Sequence, residues 1–472
     1  MAFWNRTKII ATIGPASNSR AELAAMLRAG ADVIRINGAH GDMDGHKKMI
    51  ALIRDVAGAL GLPTAILFDL PGPKLRLGTL KREPIALKTG QTVVLVCGKS
   101  EQTDERIPVP SKVVCRSVKK GSQIFINDGL VEAVVHRVSG TDIECKVRAG
   151  GEIRSRKGLN LPRAKLPIPS LTPRDKELLS FAIREDVDYV GLSFVRQAKN
   201  MLDLRRMLSK RAPHIGVVAK IEKPEALENL DGIVDASDVV MLARGDLGIE
   251  MPFDEIPLVQ KRVLKKCASV GKPTITATQM MESMVSSKMP TRAEATDVAG
   301  AVWQGTDAVM LSEETSIGQN PALAVKAMAR VASEAEREMP ELVTPERKGN
   351  WKELQAQAIS QAAGMVADEL CARAIVVPTR SGRTALYISR MRPQTQIIAL
   401  TSDERTTRRM NMYWGVTPMT MPNFSTVDEM LSYAEKAAVR SRLIKKDDTI
   451  VITSGAHGGK DEITSLVQVR RV

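Results

Sequence analysis

The chain has 472 residues, enough for two or three domains with cores of their own, and its 43% hydrophobic and 26% charged content is that of an ordinary globular protein, which excludes disordered and fibrous classes. No run approaches the roughly 18 uninterrupted apolar residues of a membrane span, and Cys97, Cys115, Cys145, Cys267 and Cys371 are odd in number and widely spaced, unlike a disulfide framework or a zinc site. The net charge of +14 raises nucleic acid as a partner, but "RSRK" (154–157), "KRVLKK" (261–266) and "RSRLIKK" (440–446) are scattered like solvated helix faces, and 3% aromatic content offers few stacking platforms, so no nucleic-acid role is expected.

From the N-terminus, "MAFWNRTKIIATIGPASNSR" runs into a Gly-Pro turn without the apolar core of a signal peptide, which sets a cytoplasmic expectation. Apolar runs then alternate with helical patterns: "KIIATIG" from Lys8, "ADVIRIN" from Ala31, "TAILFDL" from Thr64, "YVGLSF" from Tyr189, "IGVVAKIE" from Ile215, "DVVMLAR" from Asp238, "PTITAT" from Pro273 and "DAVML" from Asp307. Eight such units predict an α/β fold, a closed (β/α)8 TIM barrel over residues 1–70 and 168–340. After the third strand, residues 71–167 carry Val-rich, turn-punctuated runs such as "TVVLVCG" and "SQIFINDG", predicting a small inserted all-β domain, a β-barrel lid. "ELVTPERKGNWKE" reads as a linker after a helix at about 321–338. Beyond it "AIVVPT", "QIIALT", "GVTPM" and "TIVITSG" alternate with helices and end in "LVQVRR", predicting a C-terminal α/β domain (341–472) with a small parallel sheet.

A barrel of this kind assembles its active site at the carboxyl ends of its strands. Those ends carry Arg35 and Asn37 (second strand), Asp69 (third), Lys220 and Glu222 (fifth), Arg244 and Asp246 (sixth), Thr278 (seventh), and Ser312 and Glu313 (eighth). Lys220 and Glu222 are two residues apart on an extended run, so they face the same way about 7 Å apart, and convergence on a shared site explains charge at the end of a buried strand. Glu222 and Asp246 offer hard oxygen ligands with no His or Cys nearby, which favours Mg²⁺ or Mn²⁺. Arg35, Arg76 and Lys220 add positive charge suited to a phosphoryl group. His40, His46, His136, His214 and His457 are too dispersed for a triad, and neither GxxxxGK[ST] nor GxGxxG occurs. These residues alone lead to a Mg²⁺-dependent barrel enzyme acting on a small anionic, phosphorylated substrate.

At those residues the chain closely resembles pyruvate kinase. "TKIIATIGPAS", "RINGAHG", "KGLNLP", "AKIEKPEAL", "MLARGDLGIE", "TATQMMESM" and "PTRAEATDVAGAVWQGTDAVMLSEET" follow the family's signature segments in order over essentially the whole chain. The resemblance implies phosphate transfer from phosphoenolpyruvate to ADP and a homotetramer. Carried over by motif, Arg35, Lys220, Gly245, Asp246 and Thr278 resemble the substrate-contacting set. Among them Lys220 is the charge stabiliser, and Thr278 stands where the family helps protonate the enolate. Glu222 and Asp246 resemble the Mg²⁺ ligands, and Asn37, His40, Arg76 and Lys157 the nucleotide side. "PTRSGRTA" follows a strand and opens a helix, so Thr379, Ser381, Arg383 and Thr384 are candidates for an effector phosphate site, where the family has its effector pocket.

The departures carry information as well. "RINGAHG" has Ala39 where the family usually has serine, and "DLPGPKLR" has Leu70, Pro71 and Lys74 in place of threonine, lysine and glutamate. The family's potassium site, at positions matching Asn37, Ala39, Asp69 and Leu70, thus loses two oxygens. Lys74 stands as a possible built-in replacement, so K⁺ is not expected to be required. Glu313, where the family shows glycine, adds a carboxylate beside the site. Two alternatives stay open: a homologous barrel enzyme on another pyruvate- or enolate-type substrate, and a non-catalytic regulatory homologue.

Overall fold

The structure, a computed structural model, describes residues 5–472 apart from 163, 165, 341, 343, 425, 441–442 and 456–463. Eight strands, β1 (Lys8–Thr12), β2 (Val33–Asn37), β3 (Ala65–Leu70), β4 (Tyr189–Leu192), β5 (Gly216–Ile221), β6 (Val239–Ala243), β7 (Thr274–Ala277) and β8 (Ala308–Leu311), pair in parallel and close into a barrel. They read as near-continuous apolar runs because both faces are buried, one against interior side chains and one against the surrounding helices. Several of the helices start where the sequence caps them. Thr172 with Asp175, and Thr291 with Glu294, form reciprocal capping boxes that satisfy otherwise unpaired N–H groups.

Between β3 and β4 the chain builds a six-stranded sheet from 92–97, 107–109, 123–126, 131–139, 142–149 and 159–160, beside a two-stranded one, 85–87 with 151–153. A five-residue helix, Val113–Ser117, interrupts this otherwise β region. Its own apolar cluster, including Leu95, Val109, Ile124, Val131 and Val147, is separate from that of the barrel.

The C-terminal sheet contains β9 (Ala374–Pro378), β10 (Gln396–Thr401), β11 (Val416–Thr420), β12 (Thr449–Gly455) and β13 (Thr464–Arg471), in the order β11-β10-β9-β12-β13. The first four are parallel, but β13 runs antiparallel to β12, a correction to the all-parallel expectation. Only residues 456–463 separate the two, too few for the crossover that a parallel return needs. The supposed linker is also shorter than expected, since Trp351–Glu369 is helical from an Asn350–Glu353 capping box onward. This domain plugs the amino-terminal end of the barrel. Lys8 Nζ donates to Val416 O (2.7 Å), Tyr189 Oη donates to Arg409 O (2.8 Å), and Arg408 and Arg392 pair with Asp188 (2.8 Å) and Asp307 (2.9 Å). The opposite, carboxyl end is left to the inserted domain.

Candidate active site

The carboxyl rim of the barrel gathers a buried cluster of charge. Strand register puts Asn37 beside Asp69, and Asp69 beside Gly191 on β4. A Cβ at Gly191 would lie 2.2 Å from Asp69 Oδ1, so glycine there is what allows the carboxylate to lie across the neighbouring strand. Asp69 Oδ2 accepts from Arg35 Nε (2.7 Å) and lies 3.3 Å from Lys220 Nζ. Lys220 also meets Glu222 Oε1 (2.8 Å) and donates to Ser193 Oγ (2.9 Å), and Glu222 Oε2 accepts from the Phe194 N–H (2.8 Å). Lys220 and Glu222 thus share a face as their spacing requires, in a four-member network rather than a private pair.

Burial sets the electrostatics. It pushes the Asp69 carboxyl up, but the Lys220 and Arg35 cations outweigh it and hold Asp69 below the usual carboxylate range. Burial pushes the Lys220 ammonium down, yet the Asp69 and Glu222 carboxylates more than reverse this, so Lys220 stays charged. Burial raises the Glu222 carboxyl against the pull of Lys220, and the negative charge of Asp246 raises it further.

Asp246 and Gly245 lie in the short helix Arg244–Glu250 that continues β6. The Gly245 N–H donates to Thr278 Oγ1 (2.7 Å), and the Thr278 hydroxyl donates to Ala277 O (2.6 Å). Thr278 (φ 67°) and Gln279 (φ 54°) are consecutive non-glycine residues in the left-handed region, and Thr278 is β-branched, so the turn stores about 1–3 kcal/mol of strain per residue. Arg244 pins that turn. Its Nη2 donates to Thr278 O (2.9 Å) and Gln279 O (3.2 Å), while Nη1 pairs with Asp297 (2.7 Å). Arg244 is therefore turned away from the charge cluster and serves the backbone.

Other expected residues fall in distinct places. Asn37 Oδ1 accepts from the Ala39 N–H (3.1 Å), and Leu70 is fully buried in the core between barrel and helices. Lys74 Nζ stands 3.9 Å from Asp246 Oδ1 and 3.8 Å from Asp128 Oδ1, bridging the rim to the inserted domain rather than reaching Asn37. Arg76 forms a bridge with Gly158 and donates to Arg156 O (3.1 Å), while the Lys157 carbonyl accepts from the Leu77 N–H (2.9 Å), so both cations stand where the inserted domain joins the barrel. The His40 imidazole is held below its usual range by burial and by the Arg76, Lys74 and Arg35 charges, so it is neutral near pH 7. Glu313 is exposed, whereas its neighbour Glu314 is buried and accepts from the Ser312 (2.7 Å) and Met281 (3.1 Å) N–H groups. Ser381 and Arg383 line one cleft of the C-terminal domain with Thr379 and Thr384. Thr379 Oγ1 already accepts from the Gly382 N–H (3.2 Å), and Thr384 shares a hydrogen bond with Thr464 (2.7 Å). His457 lies outside the described residues.

The family description "Pyruvate kinase, barrel domain" matches residues 4–325 of this chain, and "Pyruvate kinase, alpha/beta domain" matches residues 357–470. The chain belongs to the pyruvate kinase family. It is 42% identical to a pyruvate kinase of Geobacillus stearothermophilus over 98% of this chain and 80% of that one. It is also 41% identical to that of Thermococcus litoralis over 99% of both. A crystal structure of a pyruvate kinase from Cryptosporidium parvum superimposes with a TM-score of 0.89 at 34% identity, covering 99% of this chain and 96% of that one. The chain is accordingly an enzyme of the phosphotransferase class, and among its described residues no helix is long and apolar enough to cross a membrane.

Pyruvate kinases are generally metal-dependent, and the donor set here fits a divalent cation. Among the described residues no three acidic, His or Cys groups form a complete cage. The negative charge of Asp246 is felt at Glu222, so two hard oxygen donors of the type a divalent cation takes stand near one another at the rim. The strand-end reading left two strands without a polar group, the first and the fourth. Thr12 fills the first place, accepting from Arg35 Nη1 (3.1 Å), and Ser193 beyond the fourth accepts from Lys220. Both hydroxyls stand at strand ends, as the Thr278 hydroxyl does after the seventh strand.

Proposed function

We propose that this pyruvate kinase family member transfers the phosphoryl group of phosphoenolpyruvate to ADP, giving pyruvate and ATP, with Mg²⁺ or Mn²⁺ held by Glu222 and Asp246. The observation that carries this reading is the buried Lys220 ammonium, kept charged by Asp69 and Glu222 at the one end of the barrel where substrate can enter. The cation, when bound, supplies charge neutralisation between the phosphoryl oxygens and the attacking diphosphate. Arg35 and Lys220 orient the phosphate and offset the charge that builds on its oxygens during transfer. The substrate carboxylate lies near Gly245 and Thr278. The enolate left after transfer takes a proton at carbon, and Thr278 orients that delivery with its hydroxyl fixed between the Gly245 N–H and the Ala277 carbonyl. Arg76, Lys157, Asn37 and neutral His40 form the nucleotide side.

The reaction runs without K⁺. The Asp69 carboxylate is already neutralised by Arg35 and Lys220, Asn37 Oδ1 is spent on the backbone, and Lys74 brings a fixed cation to the rim. A sugar phosphate or nucleotide effector binds at Ser381 and Arg383, supported by their shared cleft. The enzyme is a cytoplasmic homotetramer, an assembly that would cover exposed Phe253 and Leu258 on the barrel and Trp351 and Met365 on the C-terminal helix. A coupled assay with phosphoenolpyruvate, ADP and Mg²⁺ tests the central reading. Turnover of about 1–1,000 per second supports it, whereas Mg²⁺-dependent pyruvate binding without turnover would point to another enolate-type substrate.

A further inference from the structure

Outside the charge cluster the structure holds a second buried polar junction, at the seam between the inserted domain and the barrel. Glu250 Oε1 accepts from Lys223 Nζ (2.6 Å) and from Asn160 Nδ2 (3.0 Å). The three residues are 1%, 9% and 6% exposed. They come from three different pieces of chain. Asn160 belongs to the edge strand of the inserted sheet, paired with Phe125, and Lys223 directly follows Glu222. Glu250 ends the same short helix that carries Gly245 and Asp246 near its start.

We infer that Glu250 is a latch that couples the position of the inserted domain to the placement of Glu222 and Asp246, and so a positioning residue for phosphoryl transfer. The inference rests on the phosphoryl-transfer reading for its catalytic consequence. The mechanical chain is short in both directions. Lys223 lies 5.8 Å from the Phe194 ring, and the Phe194 N–H is the one that holds Glu222 Oε2. Phe194 itself has a left-handed backbone (φ 54°), so its N–H direction depends on neighbours that keep it there. On the other side, Asn160 is three residues from Lys157, and a Cβ on Gly158 would lie 3.3 Å from Lys74 Cε and 4.0 Å from Asn160 Oδ1. The junction therefore adjoins the segment that carries Lys157 and Gly158 on one side and, through Phe194, Glu222 on the other.

A second feature separates this junction from ordinary interdomain packing. Buried polar atoms in a static interface are almost always fully paired. Here Glu250 Oε2 and Asn160 Oδ1 are buried and have no hydrogen-bond partner among the described residues. Each residue therefore holds the junction through one polar atom, the Lys223 and Asn160 donors converging on Glu250 Oε1. A change in how the inserted domain sits would therefore be felt first at Glu250 Oε1, in the helix that carries Asp246.

The test is a charge exchange. Asn160→Asp sets a second carboxylate against Glu250 and removes the amide donor. Adding Glu250→Gln restores one donor facing one carboxylate and leaves Lys223 an anionic partner. Hydrogen exchange of residues 123–160 is measured for the full-length protein with and without Mg²⁺ and phosphoenolpyruvate, alongside kcat and KM for ADP. Loss of a charge-assisted hydrogen bond is expected to lower kcat/KM for ADP about tenfold in Asn160→Asp and to speed exchange across the inserted sheet. The double variant is expected to recover to within about threefold on both readouts, as coupled residues do. Exchange at the unmodified rate in Asn160→Asp, or a double variant no better than the two single changes combined, overturns the latch. Should the unmodified protein show no turnover, the phosphoryl-transfer reading fails on its own and the exchange rates alone decide the latch.

Discussion

Replacing Lys220 with methionine keeps most of the side-chain volume and removes one buried charge. In the structure that ammonium stands 2.8 Å from Glu222, 3.3 Å from Asp69 and 2.9 Å from Ser193 Oγ, at 7% exposure. Asp69 keeps Arg35 as a partner at 2.7 Å, but Glu222 is left with only the Phe194 N–H. Removing one partner of a buried pair costs about 3–5 kcal/mol of stability, so Lys220→Met is expected to lower the melting temperature while still folding at 25 °C. The catalytic loss is larger in consequence. A preorganised cation facing the transferring phosphoryl is worth about 3 kcal/mol or more, and at about 1.4 kcal/mol per decade kcat falls at least a hundredfold. Steady-state kinetics at saturating Mg²⁺, with circular dichroism to verify folding, separate the two effects. Folded Lys220→Met with kcat within threefold of the unmodified enzyme would refute the role of this network in transfer.

Further outcomes follow from the same geometry. Asp246→Asn should raise the Mg²⁺ concentration for half-maximal activity by about tenfold or more, because one of two hard anionic ligands is gone; titration of activity against Mg²⁺ checks this. Turnover in tetramethylammonium buffer should be unchanged by added K⁺, and Lys74→Glu should lose activity that K⁺ does not fully restore, since Ala39 and Leu70 remain; strong K⁺ activation of the unmodified enzyme would reject the proposal. His46 is buried against Phe68 and Phe181 with neither ring nitrogen hydrogen-bonded, and burial lowers its pKa. The unfolded chain therefore takes up a proton more readily than the native state as the pH falls through about 6.5, so stability drops as pH falls through that value. The fall in melting temperature between about pH 7.5 and 5.5 should be smaller in His46→Phe than in the unmodified protein.

Most of the barrel was legible because each strand is buried on both faces and reads as an apolar run between helical patterns. Six polar strand ends were visible for the same reason, since charge ending an apolar run stands out. Thr12 and Ser193 did not stand out, because neither has a charged residue beside it and neither lies in a segment, as Thr278 does, whose motif assigned it a role. The division of labour between Glu313 and Glu314 was not readable either. Adjacent residues on a helix point about 100° apart, and only the fold decides which direction is buried. Glu250 was the hardest to see: it is a carboxylate at the end of a short helix, and its partners Lys223 and Asn160 lie 27 and 90 residues away in sequence. Lys74 illustrates a different limit. Its place in the motif pointed to the potassium position, but the motif could not show that its ammonium stands 3.9 Å from Asp246 and 3.8 Å from Asp128.

The claim that the Arg35–Asp69–Lys220–Glu222 network carries phosphoryl transfer is tested most directly by phosphorus NMR of the purified protein with phosphoenolpyruvate, ADP and Mg²⁺. The account predicts that ATP resonances grow mole for mole as phosphoenolpyruvate is lost. Loss of phosphoenolpyruvate to free phosphate without ATP, or no change in any phosphorus signal with folded enzyme, would contradict it.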